Sequence, residues 1–331
     1  MKVAVIGAGA WGTTLANLLA KKGISTSLWM LEQELAMEIR KTGRNTWYLP
    51  DFDLDSRLEI TTDLAAASQD AEMHIMAVPC QFLRSVLQRL ARRLGKRPAM
   101  ICASKGIELS TLSPMSKLFE DELGELKVRY GHLSGPSFAF EVSKELPTSV
   151  VLGCADKKLA RSVQELFSTS YFRVYTTADY RGVELGGAVK NIIAIAAGIS
   201  DGLNFGHDAR AALINRGLAE MSRLGKAMGA NPQTFMGLSG MGDLVLTCTG
   251  DLSRNRQVGM RLGKGQKLLD ILGQMKMVAE GVKTTEAVYK LSKNLGVELP
   301  ITDQVYAILY EGKDPALAVQ DLMARPLKEE S

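Results

Sequence analysis

Val3-Ala4-Val5-Ile6-Gly7-Ala8-Gly9-Ala10-Trp11-Gly12 is the stretch on which the fold turns. Its first four residues are apolar on both parities, which suits a strand buried on both faces of a parallel sheet. Glycine then stops the strand. From Trp11 to Lys22 the apolar residues Leu15, Leu18 and Leu19 return at helical spacing, and Gly23 closes the run. Ser25–Trp29 reads as a second strand, so the opening of the chain is one strand–helix–strand unit. Gly7, Gly9 and Gly12 form G-x-G-x-x-G in the context that gives this pattern meaning, after a strand and opening a helix. Gly7 permits the tight turn, Gly9 lets backbone approach a pyrophosphate, and Gly12 allows close helix–strand packing. The helix N-terminus then offers N–H groups to phosphate oxygens. A tight turn with no ligand is the alternative.

The alternation continues outward. Further strands are predicted at His74–Val78, Ala99–Ala103, Val128–Leu133, Ser149–Gly153 and Tyr171–Thr176, with helices such as Gln81–Leu94 and Asp156–Phe167 separating most of them. From Asp179 on the periodicity is helical throughout, as in Val183–Ile199, Ala209–Met228, Gly281–Leu295 and Thr302–Leu309. The expected fold is α/β. A Rossmann-type, doubly wound, mostly parallel sheet occupies residues 1–178, and an all-helical substrate domain occupies 179–331.

Composition narrows the function. Forty Lys+Arg against 36 Asp+Glu give a net charge of +4, too mild to signal nucleic acid. The basic face Arg84, Arg89, Arg92, Arg93, Lys96 and Arg97 has no interleaved aromatics and reads as solvated. The four cysteines lie far apart and the three histidines are scattered, so neither a disulfide framework nor a metal site is read. No segment reads as membrane-spanning. Lys2 followed by Val3–Ala10 imitates a leader peptide, but its short apolar run is explained by the strand and turn.

Several polar groups stand in apolar or glycine-rich surroundings. Lys190 sits within Leu185–Ile199, an otherwise uncharged helical run, where it either snorkels outward or faces a functional cavity. In a cavity, desolvation would lower its pKa toward the range for proton transfer. Asn191 is placed to bond a substrate hydroxyl or the lysine amine. Asp243 follows Gly240-Met241-Gly242, whose glycines would admit a ligand; it either holds Lys190 or caps the next helix. Ser253-Arg254-Asn255 reads as a capped helix start that makes an anion site, or as a solvated basic turn. Lys105 and the stretch Ser134–Ser137 follow strand ends, where open parallel sheets bind ligands. Glu32, at the end of the second strand, either takes ribose hydroxyls or begins a helix.

Taken in order, these motifs resemble the bacterial NAD(P)-dependent glycerol-3-phosphate dehydrogenases. The resemblance runs along nearly the whole chain, through Gly7–Thr13, Asn45-Thr46-Trp47-Tyr48-Leu49-Pro50, Ser104–Glu108 and Leu133–Ala139. It continues through Leu185–Asn191, Gly237–Leu244, Ser253–Arg256 and Val278–Gly281. It implies Lys190 as the proton acceptor. Lys105, Gly135, Ser137, Asp243, Ser253, Arg254 and Asn255 become substrate contacts, the last two near the phosphate. Ala10, Trp11, Lys105, Ala139, Arg254, Val278 and Glu280 become contacts to NAD or NADP. It also implies dihydroxyacetone phosphate and glycerol 3-phosphate as substrates, and a cytoplasmic homodimer feeding phospholipid synthesis. Two departures stand out. Leu31 replaces an arginine suited to a 2′-phosphate, and Ala10 replaces a frequent serine; with Glu32, the first leans toward NAD. The rival readings are a hydroxyacid or ketopantoate-type reductase on the same plan, which would need a carboxylate site, and a nucleotide sensor without turnover.

Overall fold

The computed structural model describes residues 1–275, 279–327 and 329. Eight strands form one sheet: β1 (Lys2–Ile6), β2 (Ser25–Trp29), β3 (Glu59–Thr61), β4 (Met73–Met76), β5 (Ala99–Cys102), β6 (Arg129–Ser134), β7 (Thr148–Gly153) and β8 (Phe172–Thr177). Their order across the sheet is β8-β7-β6-β5-β4-β1-β2-β3. Every pairing is parallel except β6 with β7. Strands 3-2-1-4-5-6 thus follow the doubly wound order of dinucleotide-binding sheets, with a reversed pair added at one edge. All seven strands expected from the sequence are present within a residue or two. The three-residue β3 carries too little pattern to be read.

Period-two alternation explains how the sheet is covered. Val3 and Val5 of β1 enter one core with Leu15 and Leu19 of the helix Ala10–Lys21 and with Leu159, Val163 and Phe167. Ala4 and Ile6 face the other way, into a second core with Leu83, Leu87 and Leu90 of the helix Cys80–Ala91 and with Leu118 and Phe119. Both faces are dry, which is why these strands read as continuous apolar runs.

The chain divides into two compact units, residues 1–106 with 113–184, and 107–112 with 185–331. The division falls after Glu184, inside the helix Tyr180–Gly202, rather than near Thr177–Tyr180. The first turn of that helix belongs to the sheet unit for two reasons. A Cβ on Gly153 would lie 2.5 Å from Tyr180 Cα, so strand and helix touch backbone to backbone. The Glu184 carboxylate accepts from Ser116 N at 2.9 Å and from Ser116 Oγ at 2.6 Å.

The second unit is helical around the remainder of that helix. Val189, Ile192, Ile193, Ile195 and Ile199 are buried on every side, against Met221, Leu224, Leu244, Val258, Val288 and Val305 from five neighbouring helices. By length and apolarity the helix could cross a membrane, but its apolar window is wholly buried within the protein. A helix apolar all round is a core helix when other helices cover it.

Buried titratable groups give a pH prediction. Burial pushes Glu184 up to about 7 from 4.5 and holds His74 down to about 4 from 6.5. A raised carboxyl binds more protons folded than unfolded, so its contribution to stability falls as pH rises from 4.5 to 7. A lowered imidazole acts oppositely below 6.5. Glutamine at 184 keeps an acceptor for Ser116 N and offers a donor to Ser116 Oγ. Glu184→Gln therefore gains stability relative to the parent as pH rises through that window, and the gain is constant above it. Urea titrations of both proteins from pH 4.5 to 8 read the difference directly; a gap independent of pH contradicts the assignment.

Candidate active site

In the sheet unit, the carboxyl ends of β1, β2, β4, β5 and β6 share one edge, and most of the expected residues of this unit collect there. Gly7 turns with φ +112°, and a Cβ on it would lie 2.6 Å from Ala77 O. A Cβ on Gly12 would lie 1.9 Å from Gly7 O, so only glycine lets the helix Ala10–Lys21 start against the strand end. Gly9 differs. Its backbone (φ −63°, ψ 175°) suits any residue, and no atom lies within 4 Å of where a Cβ would sit. The N-terminus of this helix, with Ala10 and Trp11 in its first turn, has no side-chain cap. The Trp11 indole packs 6.5 Å from the Phe172 ring, and its Nε1 is buried without a hydrogen-bond partner. An open cradle at Gly9 and uncapped helical N–H groups fit the pyrophosphate of a dinucleotide.

The remaining groups line the same edge. Lys105, half-buried, follows β5, and its charge adds to burial in holding the His132 imidazole down to about 3. After β6, Gly135 takes φ +135° and the Ser137 hydroxyl donates to Gly135 O at 3.0 Å. Ala139 opens the helix Ala139–Ser143, tied to the helix Ala10–Lys21 by a hydrogen bond of 3.0 Å between Ser143 Oγ and Thr14 Oγ1. At the end of β2, Leu31 is 68% exposed, and Glu32 precedes the helix Gln33–Thr42 without bonding as its cap.

The helical unit holds a buried ion pair. Lys190, 6% exposed, does not snorkel. Its Nζ donates to Asp243 Oδ1 and, at 2.6 Å, to Thr247 Oγ1. Thr247 in turn donates to Asp243 O at 2.6 Å. A buried ammonium needs such a counterion and acceptor to offset its lost hydration. Asp243 stands inside the first turn of the helix Asp243–Thr249, after a π-helical turn at Leu238–Gly242, so it is a partner of Lys190 and not a cap. Thr247 carries no motif signal of its own. One turn beyond Asp243 on the same helix face, it was findable only once Asp243 had been chosen.

Ser253 caps the helix Arg254–Gly263, its Oγ accepting from Arg256 N at 3.2 Å. Arg254 lies at that N-terminus, where its residue surface is exposed but burial around the guanidinium lowers its pKa, and the charge of Glu280, the first residue of the helix Glu280–Leu295, opposes that shift. Arg256 is buried and anchors the turn, reaching Asp201 at 2.7 Å and Asp251 at 2.9 Å. Asn255 Nδ2 donates to Asn191 Oδ1 at 2.9 Å, and Asn255 Oδ1 accepts from Gly281 N at 3.0 Å.

One expectation is narrowed and another corrected. Asn191, expected to reach a substrate hydroxyl or the amine of Lys190, accepts at Oδ1 from Asn255 and so aligns that residue; this bond takes up its oxygen and not its Nδ2. Gly240, expected to admit a ligand, instead permits packing, since a Cβ there would lie 2.0 Å from Phe235 O. Val278, expected at the cofactor, lies outside the described residues. Among the described residues no group of three or more His, Cys, Asp or Glu could hold a metal ion.

Comparison with known proteins accords with both halves. Residues 2–160 match the family described as NAD-dependent glycerol-3-phosphate dehydrogenase N-terminus, and residues 179–320 match its C-terminus. A glycerol-3-phosphate dehydrogenase [NAD(P)+] of Solidesulfovibrio magneticus is 65% identical over 330 residues, covering 100% of both chains. One of Maridesulfovibrio salexigens is also 65% identical over the full length of each. The crystal structure of glycerol-3-phosphate dehydrogenase from Coxiella burnetii superposes with a TM-score of 0.95 at 39% identity, covering 98% of this chain and 99% of that one.

Proposed function

The chain belongs to the NAD(P)-dependent glycerol-3-phosphate dehydrogenase family, and from that premise we propose that it reversibly reduces dihydroxyacetone phosphate to sn-glycerol 3-phosphate, with NADH preferred to NADPH. The observation that carries this reading is the buried Lys190 ammonium held by Asp243 and Thr247. Gly7, Gly9 and Gly12 would hold the pyrophosphate of the dinucleotide, which when bound would supply the hydride for C2 of the ketone. Lys190 gives a proton to the oxygen as negative charge builds on it, and in the oxidative direction its amine takes the proton from the C2 hydroxyl. Asp243 and Thr247 hold Nζ in place for that transfer. Lys105 adds a positive charge that stabilises the developing oxyanion. Arg254 and the capped helix N-terminus at Ser253 hold the phosphate, with Asn255 steadied by Asn191 beside them. Binding energy at this remote group then orients C2.

The cofactor preference rests on Leu31 and Glu32. A 2′-phosphate at the end of β2 would meet a carboxylate where a ribose hydroxyl would meet an acceptor. The chain is further read as a cytoplasmic homodimer whose product supplies phospholipid synthesis; light scattering that gives the mass of a single chain would remove the dimer.

Initial rates of nicotinamide oxidation test the proposal. With dihydroxyacetone phosphate, kcat/KM is expected to be at least about tenfold higher for NADH than for NADPH, as one discouraged charge contact predicts. Ketopantoate and simple 2-keto acids are expected to give no comparable rate. Turnover of a keto acid but not of the triose phosphate defeats the substrate assignment, and nucleotide binding without turnover of any ketone points to a sensor.

A further inference from the structure

The motif Asn45–Pro50 has no role in the chemistry above, yet Asn45 is completely buried. It lies in the two-residue strand Arg44–Asn45, paired antiparallel with Leu49–Asp53. Its Nδ2 donates to Ala8 O at 2.8 Å and to Thr13 Oγ1 at 2.8 Å, and its Oδ1 accepts from Tyr48 N at 3.1 Å. Thr13 Oγ1 donates to the same Ala8 oxygen at 3.1 Å. Two donors from different parts of the chain therefore converge on one carbonyl, that of the residue between Gly7 and Gly9.

We propose that Asn45 is a positioning residue for the dinucleotide, fixing the Ala8–Gly9 peptide so that its N–H faces the pyrophosphate. A trans peptide is planar, with its C=O and N–H pointing in opposite directions. Holding Ala8 O inward against Asn45 and Thr13 turns Gly9 N–H the opposite way, and no atom lies within 4 Å of where a Cβ on Gly9 would sit. The glycine that lets backbone approach the phosphates also makes this peptide easy to flip, because Gly9 tolerates the positive φ that a flip requires. A flipped peptide would present a carbonyl oxygen to an anion and repel it. The side chain for this task must donate to a carbonyl while accepting from its own turn. Asparagine does both, whereas aspartate would set a carboxylate oxygen against Ala8 O.

The inference rests on the proposed nicotinamide dependence, and its test is separable from it. In Asn45→Ala, KM for NADH is expected to rise about tenfold, the effect of releasing one well-made buried hydrogen-bond tether. KM for dihydroxyacetone phosphate and kcat at saturating NADH should stay within about twofold of the parent. Calorimetric titration with ADP-ribose, which carries the pyrophosphate but no nicotinamide, should show the same loss of affinity, while binding of adenosine is unchanged. Thr13→Val, which removes the other tether, should weaken ADP-ribose binding by at least about threefold and decides the matter if the alanine variant does not fold. A folded Asn45→Ala protein with parental ADP-ribose affinity overturns the inference, as does an unaffected Thr13→Val protein should the first fail to fold. If the parent binds ADP-ribose but turns over no triose phosphate, the proposed reaction fails and this inference stands.

Discussion

Lys190→Met lowers kcat by about 10³-fold while NADH binds as it does to the parent. General acid–base groups contribute roughly 10²–10⁴-fold, and Lys190 is the side chain proposed to carry the proton in both directions. The side chain is buried, so its removal has a second consequence: Asp243, 1% exposed, loses its cationic partner. Breaking a buried pair from one side destabilises by about 3–5 kcal/mol, because a charge is left without compensation. Loss of activity could then reflect loss of structure. The double variant Lys190→Met with Asp243→Asn separates the two effects, since it removes both charges and keeps an amide to bond Thr247. Its thermal stability should recover most of the deficit, while kcat stays at the level of the single variant. Stopped-flow turnover with either variant within tenfold of the parent takes Lys190 out of the mechanism.

Arg254→Gln raises KM for dihydroxyacetone phosphate by about 100-fold, the equivalent of roughly 2.7 kcal/mol, which is within the range of charge-assisted bonds to phosphate. NADH binding should change far less, if the arginine's main contact is the substrate. Unphosphorylated dihydroxyacetone gives the sharper reading. The parent should use it poorly, because the remote phosphate orients C2, and Arg254→Gln should scarcely alter that poor rate. The ratio of kcat/KM for the two ketones therefore collapses by about the same 100-fold. Equal losses on both ketones, or a loss confined to free nucleotide binding, would falsify the phosphate assignment. The neighbouring Arg256 serves as a contrast. It is tied to Asp201 and Asp251, so its substitution should lower stability and disturb every substrate alike.

Much of this molecule is legible one residue after another. The strand, glycine turn and helix at Val3–Lys22 are local patterns, and the two cores that cover the sheet follow from alternation along each strand. The helical second half follows from periodicity, and Lys190 stands out because it is the one charge in an apolar run. Even the cap at Ser253 is a short-range feature. Local patterns are readable because they are set by backbone geometry within a few residues.

What the tertiary structure alone decided is which polar groups meet. Lys190 and Asp243 are 53 residues apart, Asn191 and Asn255 are 64 apart, and Asn45 reaches a carbonyl 37 residues before it. No spacing rule links such positions. Nor does the run Ser253-Arg254-Asn255-Arg256 say which arginine stays at the surface and which is locked to aspartates. Gly240, Gly12 and Gly9 are the same residue in sequence, yet the first two exclude a Cβ that backbone would strike while the third leaves room. Burial makes the difference: a polar group removed from water must find its partner wherever the packed core brings one, and that meeting is a property of the whole fold.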